Sequence, residues 1–269
     1  MSKIEHFLAS SKAALNETEL ARRIQLASGD YAEEERGKPS LLKFMGEADL
    51  LIEPARRLVR QFDVPKAERP QTVILFPGFG HGPSRMQYMA DRLKDAGHTV
   101  KHWGQGRNWG VAEATLEALE ERLEEVCEQS GGPVALVGWS LGGLYARELA
   151  KLHPEEITKV ITLGSPFSGS RRSNNIWRLY SVITGESVDQ PAIQTDASQK
   201  PDVETIAFWS PLDGAIGPRS AAGKPGERDR AVALRCTHSG FTYDPKAIAA
   251  VIKELDRPAE YPAKQALFF

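Results

Sequence analysis

Cysteine is nearly absent from this 269-residue chain: Cys127 and Cys236 are the only two, too few for a disulfide framework and not spaced as a zinc site. Cys127 falls in a helical pattern and Cys236 in a strand-like run, so both are expected as reduced, buried structural thiols. No run of 18 or more apolar residues occurs, so no integral membrane segment is expected. A net charge of -2 without a long basic block offers nothing to nucleic acid as a partner. The start, "MSKIEHFLASSKAAL", lacks an uninterrupted apolar core after a basic segment and does not read as a signal peptide. A cytoplasmic location is the resulting expectation. Internal repeats are missing, and so is any cluster of metal ligands; neither metal nor cofactor is expected.

What is present is the composition of an ordinary globular protein, 41% hydrophobic and 26% charged, long enough to bury a sizeable core. Residues 1–65 read as a helical extension, with "ETELARRIQLA" apolar at Leu20, Ile24 and Ala27. A second pattern, "SLLKFMGEADLLIEPARRLVRQF", is apolar at Leu41, Leu42, Met45, Leu50 and Leu51, and Pro54 should kink or break it. These helices carry no cluster of chemically useful groups and are expected to pack as scaffold on the main domain.

From residue 66 to 258 the texture changes to alternation. "TVILFPGF", "HTVKHW", "PVALVGW", "ITKVITLGSP", "VETIAFWS" and "RAVALRCT" read as strands, and amphipathic helical segments lie between most of them. That pattern predicts an α/β fold with a mostly parallel central sheet and helices on both faces. The alternation stops at about 166–203, an insertion with one helical piece near Ile176–Ile183, placed to act as a lid over the carboxyl edge of the sheet. The tail 259–269 ends in apolar residues suited to docking on this domain or on a second copy, as in a homo-oligomer.

Chemistry concentrates at that carboxyl edge. Gly138-Trp139-Ser140-Leu141-Gly142 is a Gly-x-Ser-x-Gly pattern between a strand and a helix. A sharp turn there exposes the serine hydroxyl above the sheet, and glycines two residues to either side supply the room. Alternatively, Ser140 merely caps a helix after a glycine-rich turn. A serine needs a base. Of the six histidines only His238 follows the last strand, at the same edge as Ser140; a solvent-facing loop histidine is the plainer alternative. Asp213, in the turn "SPLDGAIGP" after the preceding strand, is the carboxylate to orient it, or else simply a turn former. Oxyanion donors are expected from the N–H groups of Leu141, next to the nucleophile, and Phe79, in "LFPGFGHGP".

With "LFPGFG", "GWSLGGLYARELA", "VITLGSPFSG", "SPLDGAIGP" and "HSGFTYDP" in this order, the chain resembles the α/β-hydrolase superfamily, in particular its bacterial esterase- and lipase-like members. The resemblance implies Ser140 as nucleophile, Asp213 as acid, His238 as base, and Phe79 and Leu141 as oxyanion donors. Pro77-Gly78 stands where many relatives have His-Gly, a departure that touches loop packing more than the reaction. A serine nucleophile implies acyl transfer from a small-molecule ester or acyl substrate. Ester hydrolysis is the first reading, an acyltransferase or thioesterase the second, and a non-catalytic binding protein on a hydrolase scaffold the third. Trp139, Phe167 and Trp177 are the candidate substrate-binding residues, while Arg171 and Arg172 either meet an anionic group or, as the first expectation, face water.

Overall fold

A computed structural model describes residues 18–28, 37–53, 55, 62–110, 112–185, 187 and 196–258. Its centre is a six-stranded, all-parallel sheet in the order β2-β1-β3-β4-β5-β6, with β1 at Thr72–Phe76, β2 at Thr99–His102, β3 at Val134–Trp139, β4 at Ile157–Leu163, β5 at Glu204–Trp209 and β6 at Arg230–Ala233. The inner strands are nearly continuous apolar runs because both faces are covered. Val73, Leu75, Ala135 and Val137 pack against Met86, Met89 and Leu93 of helix α3 (Pro83–Ala96) and Ile248, Val251 and Ile252 of α8 (Pro245–Asp256), which follows the short α7 (Pro218–Ala222). The alternate residues Ile74, Phe76 and Leu136 turn to the other face. There they meet Leu119, Leu123 and Val126 of α4 (Glu113–Ser130) and Tyr145, Ala146 and Leu149 of α5 (Leu141–Leu152).

Local signals delimit these helices. Pro83 begins α3, and Gly97, at φ 114°, ends it with its N–H on Leu93 and Lys94 carbonyls; Asp244 caps α8 by accepting from Lys246 and Ala247. From β1 the chain first builds outward to β2 and then returns to place β3 on the other side of β1. The loops after β1 and β3 therefore flank a switch point at the carboxyl edge, the place where such sheets hold ligands.

The expected strand "RAVALRCT" is shorter than its pattern, ending at Ala233, so Cys236 lies beyond it in a buried loop. Both cysteines are free thiols; Cys127 is half-buried, and burial pushes its thiol up to about 11. In the insertion, helix α6 forms at Trp177–Thr184, one residue from its expected position. Residues 186 and 188–195 of that insertion, Pro54 and the tail 259–269 lie outside the described residues.

The N-terminal pattern departs most from expectation. Helix α1 spans Glu19–Ala27 and rests on α6, whose last carbonyls accept from Arg22 (to Gly185, 2.8 Å) and Arg23 (to Ile183, 2.7 Å). The second helix, α2, runs only over Leu41–Gly46 before the chain tightens into a 3-10 turn at Glu47–Leu51. Leu41, Leu42, Met45 and Leu51, expected to pack inward, are exposed. The segment instead meets the main domain through its backbone: a Cβ on Gly214 would lie 2.3 Å from the Lys43 carbonyl oxygen, so only glycine permits the approach. Asn175 adds hydrogen bonds to the Pro39 carbonyl (3.0 Å) and the Gly214 carbonyl (2.7 Å).

Beneath the sheet, the buried Lys159 of β4 donates to the carbonyls of Glu254 (2.6 Å) and Arg257 (2.9 Å) and sits 3.3 Å from the buried Glu204 carboxylate of β5. Arg230 of β6 pairs with the same carboxylate and with Glu254. Removing one member of a buried pair strands the other, so Lys159→Met is expected to lower unfolding free energy by about 3 kcal/mol in urea titrations. A loss below about 1 kcal/mol would mean that Arg230 alone neutralises Glu204.

Candidate active site

Ser140 occupies the first cap of α5 with φ 53° and ψ -123°, and among the described residues it is the only non-glycine with positive φ. The chain passes from a central strand into a helix within one residue, and the backbone is forced into a region that L-residues avoid. Its neighbours hold it there. Ser140 N–H donates to Leu163 O of β4 (2.9 Å), and Gly143 N–H donates to Ser140 O (3.0 Å). A Cβ on Gly142 would stand 2.3 Å from Phe76 O, and one on Gly138 would stand 2.4 Å from Gly143 Cα. The expectation of room on both sides is met, and the helix-capping alternative is not: the Ser140 side chain makes no cap hydrogen bond.

His238 and Asp213 meet beside this turn. His238 Nδ1 lies 2.8 Å from Asp213 Oδ2, and both side chains are buried. The other Asp213 oxygen, Oδ1, accepts the N–H groups of Ala215 (2.8 Å) and Ile216 (2.7 Å), so the turn it forms also aims it. Trp139, just before Ser140, ties the histidine to the elbow: its Nε1–H donates to His238 O (3.0 Å), and the two rings lie 5.4 Å apart. Burial by itself pulls the His238 pKa down, but the charge and hydrogen bond of Asp213, with the charge of Glu47, outweigh it and leave the imidazole above its ordinary range. The contribution of this pair to stability is complete below the unfolded pKa and is lost as pH rises through the folded one.

Phe79 and Leu141 both line a cavity of about 400 Å³ that also reaches Ser140. Among the described residues neither of their N–H groups donates to a protein acceptor, as a pair reserved for a ligand oxygen would require. His81 steadies the Phe79 loop with its Nδ1 2.8 Å from Phe79 O; burial lowers its pKa, and the neutral ring donates from that nitrogen. Phe167 and Trp177 line the cavity, joined by Leu144, Ile176, Tyr180 and Ile216. Tyr180 of α6 packs against Phe79 with the rings tilted and their centroids 5.2 Å apart, so the helix of the insertion roofs the cavity. Trp139 is a correction: it is not among the lining residues and serves the His238 loop instead. Arg172 is another, being buried with its guanidinium 4.9 Å from the Trp177 ring, whereas Arg171 is exposed at the cavity wall.

Two side chains at the site escaped the sequence reading. Arg147 of α5 is fully buried and donates to the carbonyls of Ala197, Ser198, Gln199 and Glu227, pinning the return limb of the insertion. Burial lowers its pKa to about 10. Glu47, in the arm read as carrying no cluster of chemically useful groups, reaches the His238 loop: its oxygens accept from Gly214, His238 and Ser239 N–H at 2.9, 2.7 and 2.9 Å. Arg147 lies within a helix and Glu47 within the short turn EADLL, and neither local pattern signals these distant contacts. Among the described residues no group of three metal-ligating side chains gathers anywhere, and no helix is long and apolar enough to cross a membrane.

A parallel sheet with helices on both faces, a strained serine turn and a buried His–Asp pair at its carboxyl edge define the hydrolase-type α/β architecture. A family model described as the alpha/beta hydrolase fold matches residues 67–233, and the chain belongs to that family. It is 40% identical over 68 residues to a pimeloyl-[acyl-carrier protein] methyl ester esterase of Klebsiella pneumoniae, a match covering 25% of each chain. It is 33% identical over 97 residues to the Vibrio cholerae protein of the same name, covering 35% of this chain and 37% of that one. The aligned parts thus span between a quarter and two fifths of these relatives. Among solved structures, Aspergillus fumigatus lipase B superposes with a TM-score of 0.53 at 16% identity, covering 73% of this chain and 55% of that one. A Paleococcus ferrophilus monoacylglycerol lipase does so at 0.51 and 16% identity, covering 73% and 99%. Likenesses so distant in sequence establish the shared fold.

Two outcomes test this geometry. Gly142→Ala places a methyl against a backbone carbonyl and is expected to destabilise the protein by about 3 kcal/mol, read by thermal denaturation; a wild-type melting temperature would refute the packing at the elbow. Asp213→Asn should lower the imidazole pKa of His238, followed by NMR, by about one unit or more. An unmoved titration would show that another group sets it.

Proposed function

We propose that the protein is a serine hydrolase that cleaves a carboxylic ester through an acyl-enzyme on Ser140. The observation that carries this reading is the direct contact of His238 Nδ1 with Asp213 Oδ2, 2.8 Å, beside a serine held at φ 53°. The short but significant likeness to bacterial methyl ester esterases supports the same class of reaction. In this reading Ser140 Oγ attacks the ester carbonyl carbon as His238 Nε2 takes its proton, and Asp213 stabilises the resulting imidazolium. The carbonyl oxygen becomes an anion received by the Phe79 and Leu141 N–H groups. Its collapse breaks the bond to the alkoxy group, which leaves with the proton from His238. Water then repeats the sequence on the acyl-enzyme, giving the carboxylic acid and free Ser140.

The cavity favours a substrate with an apolar acyl chain. Phe79, Leu141, Leu144, Phe167, Trp177 and Tyr180 line it together with Ser140, and its lining is mostly apolar. The ionic groups at its rim are largely matched within the protein, as in the pairs Lys151–Glu148 and Lys224–Glu227. We place the reaction in the cytoplasm, where the two unpaired thiols would remain reduced.

Reaction with a fluorophosphonate followed by mass spectrometry of the labelled peptide tests the proposal. Ser140 should carry the label, Ser140→Ala should carry none, and His238→Ala should react at least about a thousandfold more slowly with its fold intact. No label on Ser140 in the folded wild-type protein would sink the serine-hydrolase reading. A panel of p-nitrophenyl esters of increasing acyl length then reads the substrate, with medium apolar chains expected to turn over faster than acetate.

A further inference from the structure

The arm before the family match ends inside the catalytic edge. Glu47, the first residue of the 3-10 turn Glu47–Leu51, lies 20 residues upstream of the segment at 67–233 that carries the family likeness. Its carboxylate bridges two loops separated by a strand. Oε1 accepts from Gly214 N–H (2.9 Å) and from His238 N–H (2.7 Å), while Oε2 accepts from Ser239 N–H (2.9 Å). Gly214 follows Asp213, and Ser239 follows His238. The same side chain therefore grips the backbone immediately beside both members of the His–Asp pair. Two of its three donors, His238 and Ser239, begin the buried 3-10 turn Ser239–Thr242, where the first N–H groups have no carbonyl partner within the turn.

The approach is built, not incidental. Gly214 has no side chain because the Lys43 carbonyl occupies that space, and Asn175 holds the Pro39 carbonyl and the Gly214 carbonyl together from the insertion side. The exposed apolar residues of α2 gain nothing from this seat, so the polar contacts of its backbone and of Glu47 account for it.

We propose that Glu47 is a positioning residue of the active site: it clamps the Asp213 loop to the His238 loop and lends a second negative charge to the imidazolium formed during turnover. The proposal rests on the serine-hydrolase reading and extends it to a part of the chain outside the family match. Charged and titratable groups facing His238 are Asp213 and Glu47, which favour its cation, and Arg85, which opposes it; His81 and the Cys236 thiol stand nearby. Arg85 approaches from α3, with Nη2 3.4 Å from Ser239 O.

The test is the pH dependence of fluorophosphonate labelling at Ser140 in the full-length protein, wild type against Glu47→Gln and Glu47→Asp. The rate should rise with pH as His238 loses its proton. Glu47→Gln keeps one acceptor oxygen but loses the charge, so its acidic limb should move down by about half a pH unit and its plateau rate should fall about tenfold. Glu47→Asp keeps the charge but shortens the reach, so the limb should stay near its wild-type pH while the plateau falls. A Glu47→Gln protein with wild-type circular dichroism, an unmoved limb and an undiminished plateau overturns the proposal, as does an aspartate variant whose limb shifts as far as that of glutamine. Should Glu47→Gln fail to fold, the aspartate variant decides by rate, and a plateau within about a factor of two of wild type refutes the clamp. Absence of label on wild-type Ser140 overturns the underlying serine-hydrolase reading instead, so the two failures are distinguishable.

Discussion

The backbone of Ser140 is the constraint from which the site follows. A non-glycine residue at φ 53° costs on the order of 1–3 kcal/mol and persists only where its surroundings leave no alternative. Here β3 is pinned on both sides, paired with β1 through Phe76–Gly138 and with β4 through Trp139–Leu163. The helix that follows must start at once, because Ala146 and Leu149 are drawn into the core beneath it. Between a fixed strand and a fixed helix, one residue absorbs the whole change of direction, and it borders the cavity.

The parallel register then brings the rest of the chemistry to the same level. Strands that pair in parallel end at one edge, so the loops after β1, β3, β5 and β6 face a common space. Phe79 comes from the first, Ser140 from the second, Asp213 from the third and His238 from the fourth. Backbone hydrogen bonds help to aim the loop residues: the Asp213 oxygen not facing His238 is held by two N–H groups of its own turn. Ser210 joins the two loops lower down, donating to Cys236 O (2.6 Å) and accepting from Cys236 N–H (3.2 Å).

Around this edge the structure places buried charge where it organises loops. Arg147 gathers four carbonyls from two segments, and its guanidinium lies 4.2 Å from the Phe167 ring that lines the cavity. Such a group is expensive to bury; its Nε and Nη2 take all four carbonyls while Nη1 has no hydrogen-bond partner among the described residues, and these bonds give the insertion a defined return path. The helix α6 roofing the cavity is in turn held from outside by Arg22 and Arg23 of α1, so the N-terminal arm touches both the roof and the His238 loop.

Much of this was legible in the residues. Strand-helix alternation specified the α/β architecture because parallel strands need crossovers and both sheet faces must be covered. Gly138, Ser140 and Gly142 announced the turn, since only small neighbours tolerate its geometry, and the order of Asp213 and His238 along the chain matched the strands that carry them. What the pattern could not disclose is which surfaces meet. Apolar spacing in the N-terminal arm suggested an inward face, yet Leu41, Leu42 and Met45 are exposed. Trp139 read as a substrate contact but sits behind the histidine, and Arg172 read as solvated but is buried against Trp177. Glu47 and Arg147 bond to carbonyls and N–H groups far away in sequence, and backbone donors and acceptors look alike at every residue. Local sequence therefore determined the turn, the strands and the serine set between them. Only the tertiary structure decided which distant backbone groups would hold that chemistry in place.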